Sequence, residues 1–272
     1  MKKVIILLFF SILAIGLIGC GSENDKLNKI ITKGEIVIIT SPDYPPFEFI
    51  DDEKTGIDKY IGADIELMKY IASELGVTLK LEVADFDTTL ASLALGTVDL
   101  AISGYTYEEK RAENYELSKP YYNEGEQGVL VLKEDLENLN TFEKLNTNIK
   151  IGAQAGSLQA GYVQEQLLNA KLENFKTVPE GITLLDSGII EGISLSKKVA
   201  NIIIDKYPTK YAYVDGVFSV NEEDTQMYVI AKKGEVDLIN KINEIIAEAI
   251  EKGLYKTWDE AATARAIELG QL

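Results

Sequence analysis

The sequence predicts an α/β fold built as two lobes. Segments rich in β-branched residues alternate with segments of helical periodicity, the alternation breaks once at Lys119-Pro120-Tyr121-Tyr122, and a second series of units follows. No internal repeat or low-complexity segment points instead to a solenoid or an array.

The first series opens with an apolar run over 36–40, read as a strand. Residues 60–75 place Ile65, Met68, Ile71, Ala72 and Leu75 at helical spacing, with Gly76 as a stop. A strand over 79–84, a helix opened by Asp87 and closed by Gly96, and a strand over 98–103 come next. The second series restarts with a strand over 128–132. It continues with a strand over 150–153, a helix from Ser157, a strand near Phe175, a helix from about Pro179 and a strand over 193–195. A strand over 226–231 then precedes residues 236–252, which carry Leu238, Ile242, Ile245, Ile246 and Ala249 on one helical face before Gly253. A last helix surrounds Trp258.

Residues 1–19 stand outside this fold. Met1-Lys2-Lys3 and an apolar run over 4–18 have the layout of an export signal, and the run is shorter than the roughly 20 apolar residues of a spanning helix. Leu17-Ile18-Gly19-Cys20 closes it, and Cys20 is the one cysteine in 272 residues. Its placement resembles a lipobox, which implies cleavage before Cys20 and acylation there, with palmitate among the chains; lipid burial contributes about 0.8 kcal/mol per methylene. The polar residues that follow suit a tether over 20–33.

Composition then excludes several function classes. Loss of Lys2 and Lys3 leaves 25 Lys and Arg against 44 Asp and Glu, a net charge of −19 that repels nucleic acid and anionic headgroups. Without a second cysteine there is no disulfide or thiolate chemistry beyond the anchor. The absence of histidine excludes His-based acid–base catalysis and His metal ligation. No cofactor is expected. About 250 residues suffice for a sizeable core in two medium lobes.

Further segments, each weak alone, form a specific set in this order. They are Thr40-Ser41-Pro42-Asp43-Tyr44-Pro45-Pro46-Phe47-Glu48-Phe49, Gly62-Ala63-Asp64-Ile65-Glu66-Leu67, Asp85-Phe86-Asp87, and 96–104 with Glu109-Lys110-Arg111. Ser118-Lys119-Pro120-Tyr121-Tyr122, 152–157 and Lys233-Gly234 follow. With them the chain resembles the family 3 extracellular solute-binding proteins, the polar amino-acid class serving ABC importers, over nearly all of its mature length. The resemblance implies a type II periplasmic-binding-protein-like fold, each lobe a mixed sheet flanked by helices, joined by two crossover strands near 126–132 and 224–231. The implied layout is lobe 1 from 34–124 and 226–272, and lobe 2 from 125–225. Hinge closure on a ligand in the cleft, a membrane permease as partner and a monomeric state go with it.

Arg111 follows Thr106-Tyr107-Glu108-Glu109, read as a Thr-x-x-Glu capping box that sets the arginine on a helix start, where its planar fork suits a carboxylate. The resemblance assigns that carboxylate role to Arg111 and ligand contacts to Ser103, Gly104 and Thr106, whose turn offers backbone N–H groups and hydroxyls. Tyr44 and Phe86 match positions that sandwich the ligand's side chain, though ordinary packing explains Phe86 equally well. Gly156 and Ser157 open a helix able to add N–H groups, and Gln154 one hydrogen bond. The sequence departs from the family at Ser196, where binders of α-amino acids usually carry an acid for the ammonium; Asp64, Asp85 and Asp43 are the alternatives considered. Ser41, Ala63 and Leu158 depart too, and weigh against lysine or arginine as ligand. The leading expectation is a transport receptor. A dehydratase, known on this fold, and an adhesin or sensor module are the other classes considered.

Overall fold

The computed structural model describes residues 25–270. The leader expected at 1–19 and the acylation site expected at Cys20 lie outside the described residues.

The described chain opens with α1 (Lys26–Lys33). Asp25 caps it by accepting from the backbone N–H of Leu27 at 3.0 Å and of Asn28 at 3.3 Å. Leu27 and Ile30, three apart, turn one face to the core, where Ile30 is buried. Residues 26–33 are therefore folded, which corrects the tether expected over 20–33.

From there run β1 (Glu35–Thr40), β2 (Phe49–Ile50), β3 (Tyr60–Ile61), α2 (Ala63–Glu74), β4 (Thr78–Val83) and α3 (Phe86–Leu95). β5 (Leu100–Ala101), α4 (Glu109–Asn114) and β6 (Tyr115–Leu117) follow. The helix expected from 60 starts only at Ala63, because Tyr60 and Ile61 pair with Ile50 and Phe49 and Gly62 turns the chain at φ 134°. α3 begins at Phe86 rather than Asp87, with Asp85 at its N-cap. The strand expected over 98–103 is laddered only at β5, although Asp99 N and Ile102 N still donate to the carbonyls of Val37 and Ile39 at 2.8 and 3.1 Å. The capping box at Thr106 does not form. Thr106 is held extended by an antiparallel bridge to Met227, so Glu108 takes the N-cap of α4 without a side-chain hydrogen bond.

β7 (Tyr122–Asn123) leads into β8 (Gln127–Leu132), α5 (Leu136–Leu139), α6 (Phe142–Leu145), β9 (Lys150–Gln154), α7 (Leu158–Gln166) and β10 (Lys171–Phe175). Then come α8 (Val178–Asp186), β11 (Gly192–Ser196), α9 (Lys197–Lys206) and β12 (Tyr211–Val214). The return runs through β13 (Gln226–Met227) to β14 (Ile230–Lys232), α10 (Val236–Glu251) and α11 (Leu254–Leu269). α9 and β12 have no counterpart in the sequence reading. Among the described residues no helix is long and apolar enough to cross a membrane.

Two five-stranded mixed sheets result, in the orders β4-β1-β5-β14-β6 and β10-β9-β11-β8-β12. Each has three parallel strands, then one strand of opposite sense, then an edge strand that runs with the first three: β1 is parallel to β4 and β5, β9 is parallel to β10 and β11, while β14 and β8 are antiparallel to both their neighbours. The chain crosses between sheets at β7 and β13, which pair with each other through Asn123 with Gln226 and Tyr122 with Met227. The first crossing thus lies just before the expected 126–132, whose strand is embedded in the second sheet. A second junction joins the units where Ile202 of α9 packs with Ala262 and Ala266 of α11, and Lys198 pairs with Asp259 at 2.9 Å.

Gly62 is the backbone position most sharply demanded by this packing, since a Cβ there would lie 2.0 Å from the Phe47 carbonyl oxygen. Gly62→Ala is expected to cost about 3 kcal/mol or more, from strain and overpacking together; urea unfolding monitored by circular dichroism measures it.

Candidate functional site

The parallel strands of both sheets end toward one another, and the residues just past those ends enclose a buried cavity, as open α/β sheets place their ligand sites. Asp43 and Tyr44 follow β1, Ser103 and Gly104 follow β5, Gln154 and Ser157 follow β9, and Ser194 and Leu195 belong to β11. Arg111 of α4 and Phe86 of α3 complete the wall on the first-sheet side. The cavity is narrow, about 30 Å³.

Arg111 is 4% exposed. Its Nη1 donates to the Thr106 carbonyl, its Nη2 pairs with Glu108 at 3.1 Å, and the guanidinium lies 5.3 Å from the centroid of the Tyr105 ring. Tyr105 stacks in turn on Phe86 at 5.0 Å. Burial pulls the guanidinium pKa below the ordinary arginine value, opposed by Glu108. Its Nε, like the hydroxyl of Ser194 across the cavity, is buried without a hydrogen-bond partner among the described residues. Such groups destabilise a closed site unless a polar group meets them.

The other expected residues divide into those on the wall and those beside it. Tyr44, Phe86, Thr106 and Ser157 line the cavity with Arg111. Ser103 and Gly104 line it too, but the free groups expected there are engaged. The Ser103 hydroxyl accepts from Ser41 N and donates to Glu48 Oε1, both at 3.0 Å, and Gly104 N donates to Asp64 at 3.0 Å. Ser157 caps α7, accepting from Ala160 N at 3.2 Å. Gly156 stands against Asp87 of the first unit rather than in the wall. Ser196 lies just behind it, capping α9 by accepting from Val199 N, with its Oγ 3.1 Å from the Tyr44 hydroxyl.

The acids depart most from expectation. Asp64 is not in the wall: it lies beneath, accepting from Gly104 N, Tyr121 Oη at 2.8 Å and Tyr255 Oη at 2.6 Å. Asp85 forms a half-exposed ion pair with Lys176 of the second unit at 2.9 Å. Asp43 accepts from Ser41 Oγ at 2.6 Å, and from Gln154 Nε2 and Val178 N, both at 2.9 Å, so it fastens the first unit to the N-terminus of α8. Burial raises its pKa against these bonds.

Two wall acids were missed by sequence reasoning. Glu48, wholly buried, is raised well above the glutamate range by burial and by the Asp64 charge. Its second oxygen, Oε2, is buried without a hydrogen-bond partner among the described residues. Glu124 accepts from Tyr44 Oη at 3.2 Å, Gln127 Nε2 at 2.8 Å and Gln159 Nε2 at 3.5 Å. Burial pushes its pKa up to about 7. Its setting, Asn123-Glu124-Gly125-Glu126, reads as a solvated acidic turn, and no pattern distinguishes Glu124 from Glu126. Glu48, by contrast, sits between Phe47 and Phe49 in an apolar stretch, which was a usable signal.

A larger hollow of about 580 Å³ lies beside the cavity, lined largely by Pro42, Pro45, Phe49, Ile50, Val83 and Pro179. No cationic side chain lines it among the described residues, so the convergent polar chemistry belongs to the smaller, buried space.

The model of the bacterial extracellular solute-binding proteins, family 3, matches residues 36–261. The L-cystine-binding protein TcyJ of Escherichia coli strain K12 is 27% identical over 239 residues, which is 88% of this chain and 86% of that protein. The amino acid ABC transporter substrate-binding protein AbpA of Streptococcus pneumoniae, solved with L-arginine bound, superposes with a TM-score of 0.80 at 32% identity, covering 88% of this chain and 99% of that one. The ancestral amino acid-binding protein AncCDT-1, a precursor of cyclohexadienyl dehydratase, gives a TM-score of 0.76 at 26% identity, covering 88% and 99%. The two mixed sheets, the paired crossings and the cavity between them agree with these matches, and the chain belongs to the bacterial extracellular solute-binding proteins, family 3.

Proposed function

We propose that the protein is the receptor of an ABC importer, capturing an amino acid between its two units and presenting it to a membrane permease. The observation that carries this reading is the buried Arg111 guanidinium, fixed over Tyr105 with its Nε unsatisfied, opposite the unpartnered Ser194 hydroxyl of the other unit. A ligand carboxylate meeting both sides satisfies groups that are costly when the cleft closes without it. Tyr44 and Phe86 supply aromatic surface for the remainder of the ligand, and Ser103, Gly104, Thr106, Gly156, Ser157 and Ser196 shape the turns around it. The relatives' amino-acid ligands support the ligand class. Binding with release, rather than turnover, is the activity, carried out by a monomer at the extracytoplasmic face of the membrane. Cys20 is its lipid anchor, and nucleic acid plays no part. Lobe 1 comprises 34–124 and 226–272, lobe 2 is 125–225, and both move about β7 and β13.

A thermal-shift screen of ligand-stripped protein against free amino acids tests this directly. A ligand at 100 times its Kd stabilises the native state by about 2.7 kcal/mol. Arg111→Ala is expected to reduce that shift to within error while the ligand-free variant keeps its circular dichroism spectrum. An undiminished shift removes the carboxylate role, and products appearing on incubation with the best ligand replace reception by catalysis.

The raised pKa of Glu124 gives an independent check. Its carboxyl holds a proton more tightly folded than unfolded, so the stabilisation is full below the ordinary value of 4.5 and is lost as pH rises through about 7. Glu124→Gln removes that loss. Between pH 4.5 and pH 8 the variant is expected to gain on the order of 3 kcal/mol relative to the unsubstituted protein in urea unfolding.

A further inference from the structure

We propose that Glu124 is the counter-charge for the ligand's α-ammonium, so that the cavity selects zwitterionic α-amino acids over the matching α-hydroxy acids. This rests on the receptor reading above and assigns the ammonium end of the same site.

Three acids line the cavity: Asp43, Glu48 and Glu124. Asp43 is committed to joining the units, with Ser41, Gln154 and the Val178 amide as donors. Glu48 is fixed to Ser103 through one oxygen, and burial together with the Asp64 charge raises its pKa well above the glutamate range, which disfavours the charge a cation needs. Glu124 alone is surrounded by neutral donors, two amides and a phenol, and among the described residues no ion pair engages it. An ammonium arriving there adds charge-assisted hydrogen bonds and favours the ionised carboxylate.

Position agrees with this. The Tyr44 hydroxyl lies 3.2 Å from Glu124 Oε2 and 3.1 Å from Ser196 Oγ, so Glu124 delivers a carboxylate to the immediate neighbourhood of Ser196 from a different part of the chain. Ser196 caps α9 and is wholly buried, which leaves no room for a second acid without loss of the first. Arg111 and Glu124 line the same closed space, the pair of opposite charges a zwitterion requires. Glu124 also sits next to β7, where the chain crosses between units, so capture of a cation there acts directly on the crossing.

The experiment measures Kd by titration calorimetry on the full mature chain. The probes are the twenty L-amino acids and L-cystine, together with the α-hydroxy acid matching the strongest binder. The unsubstituted protein is expected to favour the amino acid at least 30-fold, the range set by breaking a buried charge pair. Glu124→Gln is expected to remove that preference, weakening the amino acid at least 30-fold and the hydroxy acid less than threefold. Adding Ser196→Asp to Glu124→Gln is expected to restore the amino acid to within tenfold, because aspartate also serves as an N-cap. Equal affinity of the unsubstituted protein for the two probes overturns the proposal whatever the variants do. So does an equal loss of both probes in Glu124→Gln, or no loss. Binding of a hydroxy acid but of no amino acid overturns it while leaving the receptor reading intact; silence toward every carboxylate removes both.

Discussion

The carboxylate of Asp64 is the constraint on which the site rests. Its three donors come from distant parts of the chain: the Gly104 amide past β5, the Tyr121 hydroxyl at the crossing, and the Tyr255 hydroxyl of α11. A buried hydrogen bond to a charged group contributes about 1.5–3 kcal/mol, so one side chain fixes the floor of the cavity, the start of the hinge and the docking of the C-terminal helix. Burial, and after it the same charge, raises the Glu48 pKa well above the glutamate range. Glu48 in turn holds the Ser103 hydroxyl, which receives the Ser41 amide at the end of β1. Polar contacts therefore run from α11 through Asp64 to Gly104 in the cavity wall, and beside them from Glu48 through Ser103 to Ser41.

Contact between the two units is distributed rather than concentrated. Asp43 on the N-terminus of α8 is half-buried, whereas the pair of Asp85 with Lys176 is more exposed and contributes little. The apolar contact of Ile202 with Ala262 and Ala266 lies away from the cavity altogether. Closure thus draws on contacts that do not depend on ligand, and the ligand needs to supply only the difference between open and closed forms.

Much of the architecture was legible because periodicity survives in the sequence. α10 shows it most plainly, with Leu238, Ile242, Ile245, Ile246 and Ala249 all buried on one face. α9 was missed because Ile202, Ile203 and Ile204 form a run that reads as readily as a strand; only burial of Val199, Ala200, Ile202 and Ile203 against β11 and β12 decides for a helix. The Thr106 capping box failed for a related reason, since a bridge to Met227, 121 positions away, overrides a local signal. Arg111 was singled out through the family resemblance rather than through the capping box, and it lies in the cavity wall. Glu124 was not, because burial of one acid in an acidic turn follows from the meeting of two sheets, which no neighbouring residue encodes.

The interleaved strand order also bears on how the chain assembles. β8 to β12 are contiguous, so the second sheet is complete once the chain through Val214 is available. The first sheet is not: β14 inserts between β5 and β6, and until it arrives β6 has no partner and the edge of β5 stays open. Such an edge is a template for pairing with other chains. Long-range strand insertion is slow, because the loop must close before any contact offsets its entropy. The exposed edge therefore persists until the last segment is delivered, which makes the final forty or so residues guardians against aggregation as well as part of the fold.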